Sequence, residues 1–383
     1  MRPPAVEHDG VPARVCAGCS GDGEALARAR TRQVDVGGVK VGGGAPVAVQ
    51  SMTSVPMRDG CEGPVLDVEG NLAQIERLAQ AGCEIVRVAV PNRASVEAFG
   101  RLAEQSPLPV VADVHFDYRI ACGAARHGAA ALRINPGNIG APEKVDACIE
   151  AAGEAGIPVR IGVNAGSLED ALAARDDLDL AHKLAESAAS SVAYFQERGF
   201  HDLVVSAKAH DVQATVAAYR LLSAELPDVP LHLGVTEAGT VRQGTVKSAV
   251  GLGILLAEGI GDTLRVSLTA PPEEEIFVAF DILAAAGVRR VRPELVSCPT
   301  CGRCRVDLAG IAAEVERRLS DVQKPLEVAV MGCAVNGPGE ASGADVGVAC
   351  GAGEGLLFAK GEKVARVPSE RIVDELFALI DTL

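Results

Sequence analysis

Cysteine residues near the carboxyl end of the chain have the spacing of a metal-binding site. Cys298, Cys301 and Cys304 follow one another at intervals of three within residues 297–304, and Cys333 follows within residues 331–340. Two thiols separated by two residues direct both sulfurs to one metal centre. Glycine and proline on either side let the backbone wrap closely around such a centre. The pattern predicts a redox centre that holds a soft metal or an iron–sulfur cluster.

The ligand set has two interpretations. In the first, Cys298, Cys301, Cys304 and Cys333 close a structural Cys₄ zinc site, although such a site usually repeats the cysteine pair or supplies histidine, and neither follows here. In the second, Cys298, Cys301 and Cys333 bind a cluster together with an unusual fourth ligand, which leaves one iron open to chemistry. Thiolate suits iron better than carboxylate, and this favours Cys304 or Cys350 as the fourth ligand.

The composition favours chemistry on a small molecule. The chain has 383 residues, of which 48% are hydrophobic and 23% charged, enough for a large core and about two domains. A net charge of −15 argues against binding of nucleic acid or of an anionic membrane, although it leaves room for a local cationic pocket. Three Tyr, eight Phe and no Trp leave little surface for base stacking.

The remaining cysteines point to a reducing compartment. Eleven cysteines, an odd number scattered through a long chain, do not resemble the disulfide framework of a secreted protein. Residues 1–30 contain no apolar run of signal-peptide length, and no segment reaches the roughly 18 to 20 apolar residues of a membrane span. We therefore expect a cytoplasmic protein with a mobile tail at residues 1–30, which carries Cys16 and Cys19. The thiols expected to be small buried residues are Cys61, Cys83, Cys122 and Cys148.

Residues 31–270 alternate short apolar strands with alanine-rich helical stretches. Eight such units in about 240 residues match the count and length of a (β/α)₈ TIM-type barrel. A doubly wound open sheet is the second choice, because no glycine-rich phosphate fingerprint opens the first unit. The predicted strands are residues 47–50, 85–90, 110–113, 131–135, 159–164, 202–206, 231–235 and 263–267.

Polar residues follow or end these strands, at the edge where a barrel does its chemistry. Five of the eight strands bring Arg or Lys to this rim, and such a group of cations in an acidic protein suits a diphosphate better than a single carboxylate. Glu237 is a carboxylate at the same rim and suits a general acid or base. His115 and His232 either orient substrate or satisfy hydrogen bonds in the core. The rim residues are Arg87, Asp113, His115, Arg133, Asn135, Asn138, Arg160, Asn164, Lys208, His232, Glu237, Arg265 and Ser267.

The chain is predicted to change character after residue 288. Residues 31–288 form the substrate-binding barrel and residues 289–383 form a small α/β domain around the cysteines. In this domain we expect a helix near residues 307–319, a strand at residues 326–330 that leads to Cys333, and a closing helix with an apolar stripe. The further strands are predicted near residues 346–349, 356–360 and 364–367.

Five motifs resemble those of the 4-hydroxy-3-methylbut-2-enyl diphosphate synthase family, in its bacterial two-domain form. They are LRINPGN at 132–138, RIGVN at 160–164, HLGVTEAG at 232–239, SCPTCGR at 297–303, and MGC with VNGPGE at 331–340. The resemblance extends over residues 31–383, and five long motifs in one order make it specific.

The resemblance implies an iron–sulfur oxidoreductase of the non-mevalonate route to isoprenoids. Members of the family reductively open 2-C-methyl-D-erythritol 2,4-cyclodiphosphate and remove water, which gives 4-hydroxy-3-methylbut-2-enyl diphosphate. They have a barrel and a [4Fe-4S] domain similar to a sulfite reductase module. They take single electrons from flavodoxin or ferredoxin and form homodimers in which the cluster domain of one subunit covers the barrel of the other.

The resemblance also implies roles for residues of this chain. The implied cluster ligands are Cys298, Cys301, Cys333 and Glu340. A carboxylate is a weak ligand for iron and can leave, which a fourth thiolate would resist. The implied diphosphate ligands are Arg87, Arg133, Arg160, Asn164 and Lys208, and the strand-end pattern adds Asn135 and Arg265. Asp113, His115 and Glu237 are placed near the reacting carbons, with Glu237 as the proton donor to the departing hydroxyl.

The sequence departs from the family at three places. Cys304 stands where we expect Thr, residues 53–67 form a longer loop than expected, and the tail with Cys16 and Cys19 has no expected counterpart. A different class of protein, a zinc-stabilised and non-redox sugar-phosphate-binding barrel protein, is the alternative interpretation.

Overall fold

A computed structural model describes residues 28, 30–60, 63–304, 306–333, 339, 341 and 343–383. These residues divide into two compact units, which meet in the sequence between Arg289 and Arg290. The domain boundary predicted after residue 288 lies beside this division.

The first unit contains strands of two kinds, eight that form a parallel wall and four that pair as two short hairpins. In chain order the described strands are β1 (Val34–Val36), β2 (Val39–Val41), β3 (Ala48–Met52), β4 (Arg58–Gly60), β5 (Gly63–Val65), β6 (Ile85–Ala89), β7 (Val110–Asp113), β8 (Ala131–Ile134), β9 (Val159–Asn164), β10 (Leu203–Lys208), β11 (His232–Leu233) and β12 (Thr263–Leu264).

The wall is a closed parallel barrel. Its strands are hydrogen-bonded in the order β10, β9, β8, β7, β6, β3, β12 and β11. A parallel bridge between Val205 and Leu231 joins β10 to β11, and the Val205 amide donates to Pro230 O at 2.9 Å. The eight predicted strands are therefore present, and closure excludes the open sheet. Wall strands such as β7 are buried throughout, as expected for a parallel sheet covered on both faces.

Helices follow the wall strands and cover the barrel. Four of the longer ones begin at an aspartate whose carboxylate accepts an amide of the first turn, at Asp67, Asp117, Asp179 and Asp211. The helices are α1 (Val68–Gln80), α2 (Ser95–Gln105), α3 (Tyr118–Arg126), α4 (Pro136–Ile139), α5 (Pro142–Ala155), α6 (Asp170–Ala173), α7 (Leu180–Gln196), α8 (Val212–Glu225), α9 (Val241–Ala257) and α10 (Pro272–Ala285).

Two hairpins were not predicted from the sequence. The β1–β2 hairpin turns at Gly37 and Gly38, both with positive φ, as a two-residue hairpin turn requires. Val34, Val36 and Val41 pack against the first residues of the wall strands and close the amino-terminal end of the barrel. The β4–β5 hairpin lies in the long loop at residues 53–67. Its strands are too short for a periodic signal.

The second unit is a five-stranded sheet with helices. Its elements are β13 (Glu294–Ser297), α11 (Leu308–Leu319), β14 (Glu327–Met331), β15 (Val346–Cys350), β16 (Glu354–Ala359), β17 (Glu362–Pro368) and α12 (Ile372–Asp381). Strands β13, β14 and β15 are parallel, whereas β16 and β17 are antiparallel. Both helices bury apolar faces in one core with alternate residues of the sheet, which include Val328, Val346 and Val348. The edge strand β13 was missed in the sequence.

No helix within the described ranges is both long and apolar enough to traverse a lipid bilayer.

Candidate active site

Alternate residues of the wall strands point into the barrel and contact one another across its interior, as the two-residue period of a strand dictates. Arg160 on β9 donates to the Gln50 side chain on β3. The Met52 sulfur lies 2.9 Å from a terminal nitrogen of Arg87 and 3.7 Å from one of Arg265. Residues far apart in the sequence therefore share one enclosed space.

Asp113 is the anion around which part of this interior is arranged. Its carboxylate lies 3.2 Å from an Arg133 terminal nitrogen, 3.6 Å from Arg87 Nε and 3.5 Å from His115 Nε2. Burial acts to raise the pKa of Asp113, but the charge of Arg87 and the neighbouring His115 and Arg133 hold it well below its usual range. Asp113 is thus ionised and orients the groups around it.

Arg133 is held from several sides. Its second terminal nitrogen donates to Gly162 O at 3.3 Å, and the Asn164 side-chain oxygen accepts from the same nitrogen at 3.1 Å once its amide is oriented to donate to Val163 O. A Cβ on Gly162 would lie 2.4 Å from Arg133 Nε. The glycine of the RIGVN motif therefore makes room for this guanidinium.

Arg160, Lys208 and His232 form the more deeply enclosed part of the interior. Burial, followed by the charges of neighbouring cations, lowers the pKa of Arg160 and of Lys208 well below their ordinary values. Burial and the Lys208 charge likewise keep His232 neutral by lowering its pKa. Arg160 Nε and both His232 ring nitrogens are buried without a hydrogen-bond partner in the described part of the chain. Such groups are costly unless a ligand satisfies them.

Arg265 differs from the other rim cations because it has a carboxylate of its own. It binds Glu275 through two contacts of 3.1 Å, and Ser51 Oγ donates to the same carboxylate at 3.2 Å. The sequence did not predict this role for Glu275, since nothing local distinguishes it from Glu273 and Glu274 in the first turn of α10. Arg265 therefore enters the interior with its charge already balanced.

Glu237 lies at the rim in an unusual backbone conformation. It is exposed, in the turn after β11, and its φ of 52° lies in the left-handed region. For a residue other than glycine this costs roughly 1–2 kcal/mol. Strain of this kind is common at functional sites, where the surrounding structure holds a side chain in place.

The cysteines of the second unit lie at one edge of its sheet. Ser297 pairs with Val330, and Met331 pairs with Ala349, so the carboxyl ends of β13, β14 and β15 are adjacent. The residues that follow or end these strands include Cys298, Cys333 and Cys350. Parallel register, rather than sequence spacing alone, brings thiols from separate segments to the same edge.

These thiols range from exposed to fully buried, with Cys298, Cys304 and Cys333 in between. Cys301 is exposed, and the Cys298 sulfur accepts the Gly332 amide at 3.2 Å. The Cys304 thiol donates to Val306 O at 3.3 Å and packs against the apolar core. Cys350 is fully buried, and burial together with the neighbouring Cys304 and Cys298 raises its pKa to about 11. Cys350 is therefore a protonated core thiol.

The ligand set is incomplete in the described ranges. Glu340 lies outside them, as do Cys16, Cys19 and Cys61. Within these ranges no three Cys, His, Asp or Glu residues are gathered as a metal site. The donor chemistry nevertheless fits an iron–sulfur cluster, because thiols converge at one sheet edge and a backbone amide already donates to the Cys298 sulfur.

Comparison with known families decides the affiliation. Residues 31–280 match the model of the GcpE TIM-barrel domain, and residues 294–382 match that of the GcpE protein C-terminal domain. The chain belongs to the GcpE family. This confirms both the predicted barrel and the family that the motifs resembled.

Curated relatives of this GcpE protein are similar over nearly their whole length. One from Geobacter sulfurreducens is 54% identical over 356 residues, 93% of this chain and 98% of the relative. One from Geobacillus kaustophilus is 49% identical over 361 residues, 94% of each chain. Both are named 4-hydroxy-3-methylbut-2-en-1-yl diphosphate synthase (flavodoxin). The function predicted from the motifs is confirmed, and the zinc-stabilised alternative has no support.

A solved dihydropteroate synthase from Xanthomonas albilineans is 17% identical, covers 66% of this chain and 99% of its own, and has a TM-score of 0.47.

Not every predicted site residue of this GcpE protein has groups free for a ligand. Asn135 caps α4 by accepting the Gly137 amide at 3.1 Å, and its nitrogen donates to Ser167 O at 3.1 Å. Its side chain therefore holds the loop after β8, and its contact with substrate stays a prediction. Gln50 and Met52, which line the interior from β3, were not predicted, because an uncharged strand residue gives no local signal.

Proposed function

We propose that this protein catalyses the reductive ring opening and dehydration of 2-C-methyl-D-erythritol 2,4-cyclodiphosphate to 4-hydroxy-3-methylbut-2-enyl diphosphate, in the non-mevalonate route to isoprenoids. The observation that carries the proposal is the charge of the barrel interior. In the described part of the barrel the cations Arg87, Arg133, Arg160, Lys208 and Arg265 share two carboxylates, those of Asp113 and Glu275. A diphosphate supplies the missing negative charge and the hydrogen-bond acceptors.

The diphosphate is held by Arg87, Arg133, Arg160, Asn164 and Lys208. Buried nitrogens of the three arginines, which include each Nε, lack hydrogen-bond partners within the described ranges. Guanidinium N–H groups suit phosphate oxygens, to which they donate in pairs. Arg265 is already bound to Glu275. It therefore contributes to the electrostatic potential and the shape of the pocket more than to direct contact with the diphosphate. This support is geometric, and the individual contacts belong to the proposal.

Proton transfer to the departing hydroxyl is assigned to Glu237. Asp113 is unsuited to donate a proton, because its cationic neighbours keep it ionised. It acts instead as a positioning anion for Arg87, Arg133 and His115. Glu237 lies exposed at the rim, away from the interior cations that keep Asp113 ionised. From there its carboxyl group can serve as a general acid toward bound substrate.

The electrons come through a [4Fe-4S] cluster held by Cys298, Cys301, Cys333 and Glu340. When bound, the cluster supplies single electrons to the substrate and offers one iron with a weak ligand. The Gly332 amide that donates to the Cys298 sulfur is the kind of hydrogen bond that tunes such a centre. Cys350 is left out of the ligand set because it is fully buried, and Cys304 because its thiol donates to Val306 O.

The proposed partners follow from the family. The name of these relatives includes flavodoxin, so a flavodoxin or a ferredoxin is proposed as the electron donor. A homodimer in the cytoplasm is proposed as the working form. The acidic net charge of −15 is consistent with the absence of nucleic acid and anionic membrane among the partners.

Anaerobic turnover of the cyclic diphosphate with a chemical reductant tests the proposal. The wild-type protein should be brown and should release the allylic diphosphate, detected by mass spectrometry. Glu340→Ala should lose most of its activity, whereas Cys304→Ser should keep its iron and sulfide, because the Cys304 thiol donates to Val306 O in the core. A colourless protein with stoichiometric zinc, or a brown one that leaves the substrate unchanged, would refute the proposal.

A further inference from the structure

Two cysteines on neighbouring outer helices of the barrel lie outside the site described above. Cys122 is on α3 and Cys148 is on α5, and these two helices pack against each other. Cys148 is fully buried, whereas Cys122 is 8% exposed and so has limited access to solvent. The sequence alone predicted only that both are small and buried.

The two thiols lie in one seam between the helices. The Cys122 thiol donates to Ala147 O at 3.3 Å, and the Cys148 thiol donates to Tyr118 O at 3.9 Å. Ala147 is the residue before Cys148 on α5, and Tyr118 is one turn before Cys122 on α3. Each sulfur is thus directed at the backbone of the helix that carries the other.

The surrounding groups shift the pKa values of the two thiols in opposite directions. The Cys148 thiol lowers the pKa of Cys122 by a hydrogen bond, Arg126 on the next turn of α3 lowers it further, and burial opposes both. The pairing with Cys122 and burial raise the pKa of Cys148. A thiol of lowered pKa that lies beside a second thiol has the features of a cysteine that peroxides oxidise, and the 8% exposure of Cys122 gives a peroxide limited access to it.

We propose that Cys122 and Cys148 are a redox-active thiol pair that hydrogen peroxide converts reversibly into a disulfide between α3 and α5. The Cys122 thiolate attacks one peroxide oxygen, the O–O bond breaks, and the products are a sulfenic acid and hydroxide, which takes up a proton to form water. The Cys148 sulfur then attacks the Cys122 sulfur, the S–S bond forms, and the sulfenic oxygen leaves as a second water.

The reaction is balanced with hydrogen peroxide as the oxidant. Two thiols lose two electrons and two protons, and one hydrogen peroxide becomes two waters. A dithiol reductant reverses the step by thiol–disulfide exchange, in which it is itself oxidised to a disulfide. The pair is independent of the cluster ligands, which lie in the other unit of the chain.

Peptide mapping of the peroxide-treated holoenzyme tests the proposal. The protein is purified without oxygen, exposed to hydrogen peroxide, alkylated, and digested without reduction. Mass spectrometry should find the Cys122 peptide joined to the Cys148 peptide, and dithiothreitol should separate them. In Cys148→Ala the second step is blocked, so Cys122 should accumulate as the sulfenic acid and be trapped by dimedone. Cys122→Ala should give neither product.

Cys83→Ala is the matched control. Cys83 is also a buried thiol of the barrel, but its sulfur donates to Ile85 O at 3.2 Å, and burial raises its pKa to about 12. This variant should form the Cys122–Cys148 cross-link to the same extent as the wild type.

The peptide map of the peroxide-treated wild-type protein tests the proposal even if a variant fails to fold. Recovery of Cys122 as the alkylated, reduced peptide after treatment with excess hydrogen peroxide would overturn the proposal. A cross-link from Cys122 to any cysteine other than Cys148 would do the same.

Discussion

The barrel interior and the cysteine edge of the second unit bring their functional groups together in different ways. In the barrel, Arg133 already donates to Asp113 and Arg160 to Gln50, although these four residues come from four strands. At the cysteine edge, Cys298 and Cys333 follow adjacent strands, but the described residues there do not form a finished metal site. The barrel side chains are thus held by one another, although several of their buried nitrogens have no partner within the described ranges, whereas the described cysteines share only a sheet edge.

The difference follows from what holds each site together. Strand register and barrel closure fix the interior side chains. The stability of the folded barrel therefore offsets the unfavourable free energy of placing five cations close together. Thiol ligands repel one another when ionised and gain their stabilisation from the metal, so a metal site commonly forms together with its metal. The barrel should therefore bind anions without the cluster, while the cysteine edge should depend on it.

Loss of a cluster ligand should have the largest effect. Cys333→Ala should abolish turnover and reduce the iron and sulfide content of anaerobically purified protein, because one of the thiolate ligands is gone. Its barrel should still bind the cyclic diphosphate within about threefold of the wild-type affinity, measured by calorimetry, a change below about 1 kcal/mol. Cys83→Ala, which removes a buried barrel thiol, should keep its full cluster content. A Cys333→Ala protein with normal iron would contradict the proposed ligand set.

Glu237 should come next. Glu237→Ala should lower turnover by about 10²–10⁴-fold with the cluster intact, the usual range for loss of a proton donor. Glu237→Gly should be equally inactive, but its free energy of unfolding should exceed that of Glu237→Ala by about 1 kcal/mol, because glycine adopts φ of 52° without strain. Unaltered rates would remove Glu237 from the mechanism, and equal unfolding energies would show that the turn carries no strain.

A methyl group at Gly162 should test how closely the cationic interior is packed. Gly162→Ala places a Cβ 2.4 Å from Arg133 Nε and displaces the guanidinium. Steady-state kinetics should show KM raised roughly tenfold, about 1.4 kcal/mol of binding, with the cluster unchanged. Gly153→Ala is the control, since its Cβ on α5 meets nothing within 4 Å, and it should keep the wild-type KM. An unchanged KM in Gly162→Ala would mean that Arg133 does not hold the substrate.

The smallest expected effect is the contribution of Lys208 to the pH dependence of the free energy of unfolding. The pKa of Lys208 is lowered in the folded protein by burial and then by neighbouring cations, so the unfolded chain binds more protons between the lowered value and the ordinary value of about 10.4. The destabilisation by charged Lys208 is fully present below the lowered pKa and is lost as pH rises. Urea unfolding should therefore show that the stability of the wild type, relative to Lys208→Met, increases with pH.

Lys40 gives the control for this comparison. It is an exposed lysine paired with Asp35 on the β1–β2 hairpin, so Lys40→Met should leave the rise in stability unchanged. Inorganic diphosphate should flatten the wild-type curve, because a bound anion favours the charged form of Lys208. Parallel curves for the wild type and Lys208→Met would contradict an interior crowded with cations.

Much of the barrel could be predicted from local sequence patterns. Buried apolar runs of four to six residues predicted seven of the wall strands to within two residues, for example Val159–Asn164. Strand β11 is shorter than predicted, because only His232 and Leu233 pair with β12 before the chain reaches the turn at Thr236 and Glu237. The hairpin strands were missed because three residues are too few for a period, and β13 was missed because it is only partly buried and lacks the continuous apolar run of β7.

The partners of the charged residues were beyond the sequence. Arg265 and Arg160 both end up inside the barrel, yet one is balanced by Glu275 and the other contacts Gln50. Which of these occurs depends on how distant strands register across the barrel, and no local pattern encodes it. The same holds for Cys122 and Cys148, whose proximity follows from the packing of α3 against α5.

The sequence by itself determined the barrel, the rim of cations and the cysteine-bearing domain, because each depends on periodicity or spacing within one segment. Only the tertiary structure decided which cations keep unsatisfied nitrogens, why Gly162 must lack a side chain and which thiols are buried in the core. Those properties arise when closure of the barrel and register of the sheet bring separate segments within hydrogen-bonding distance.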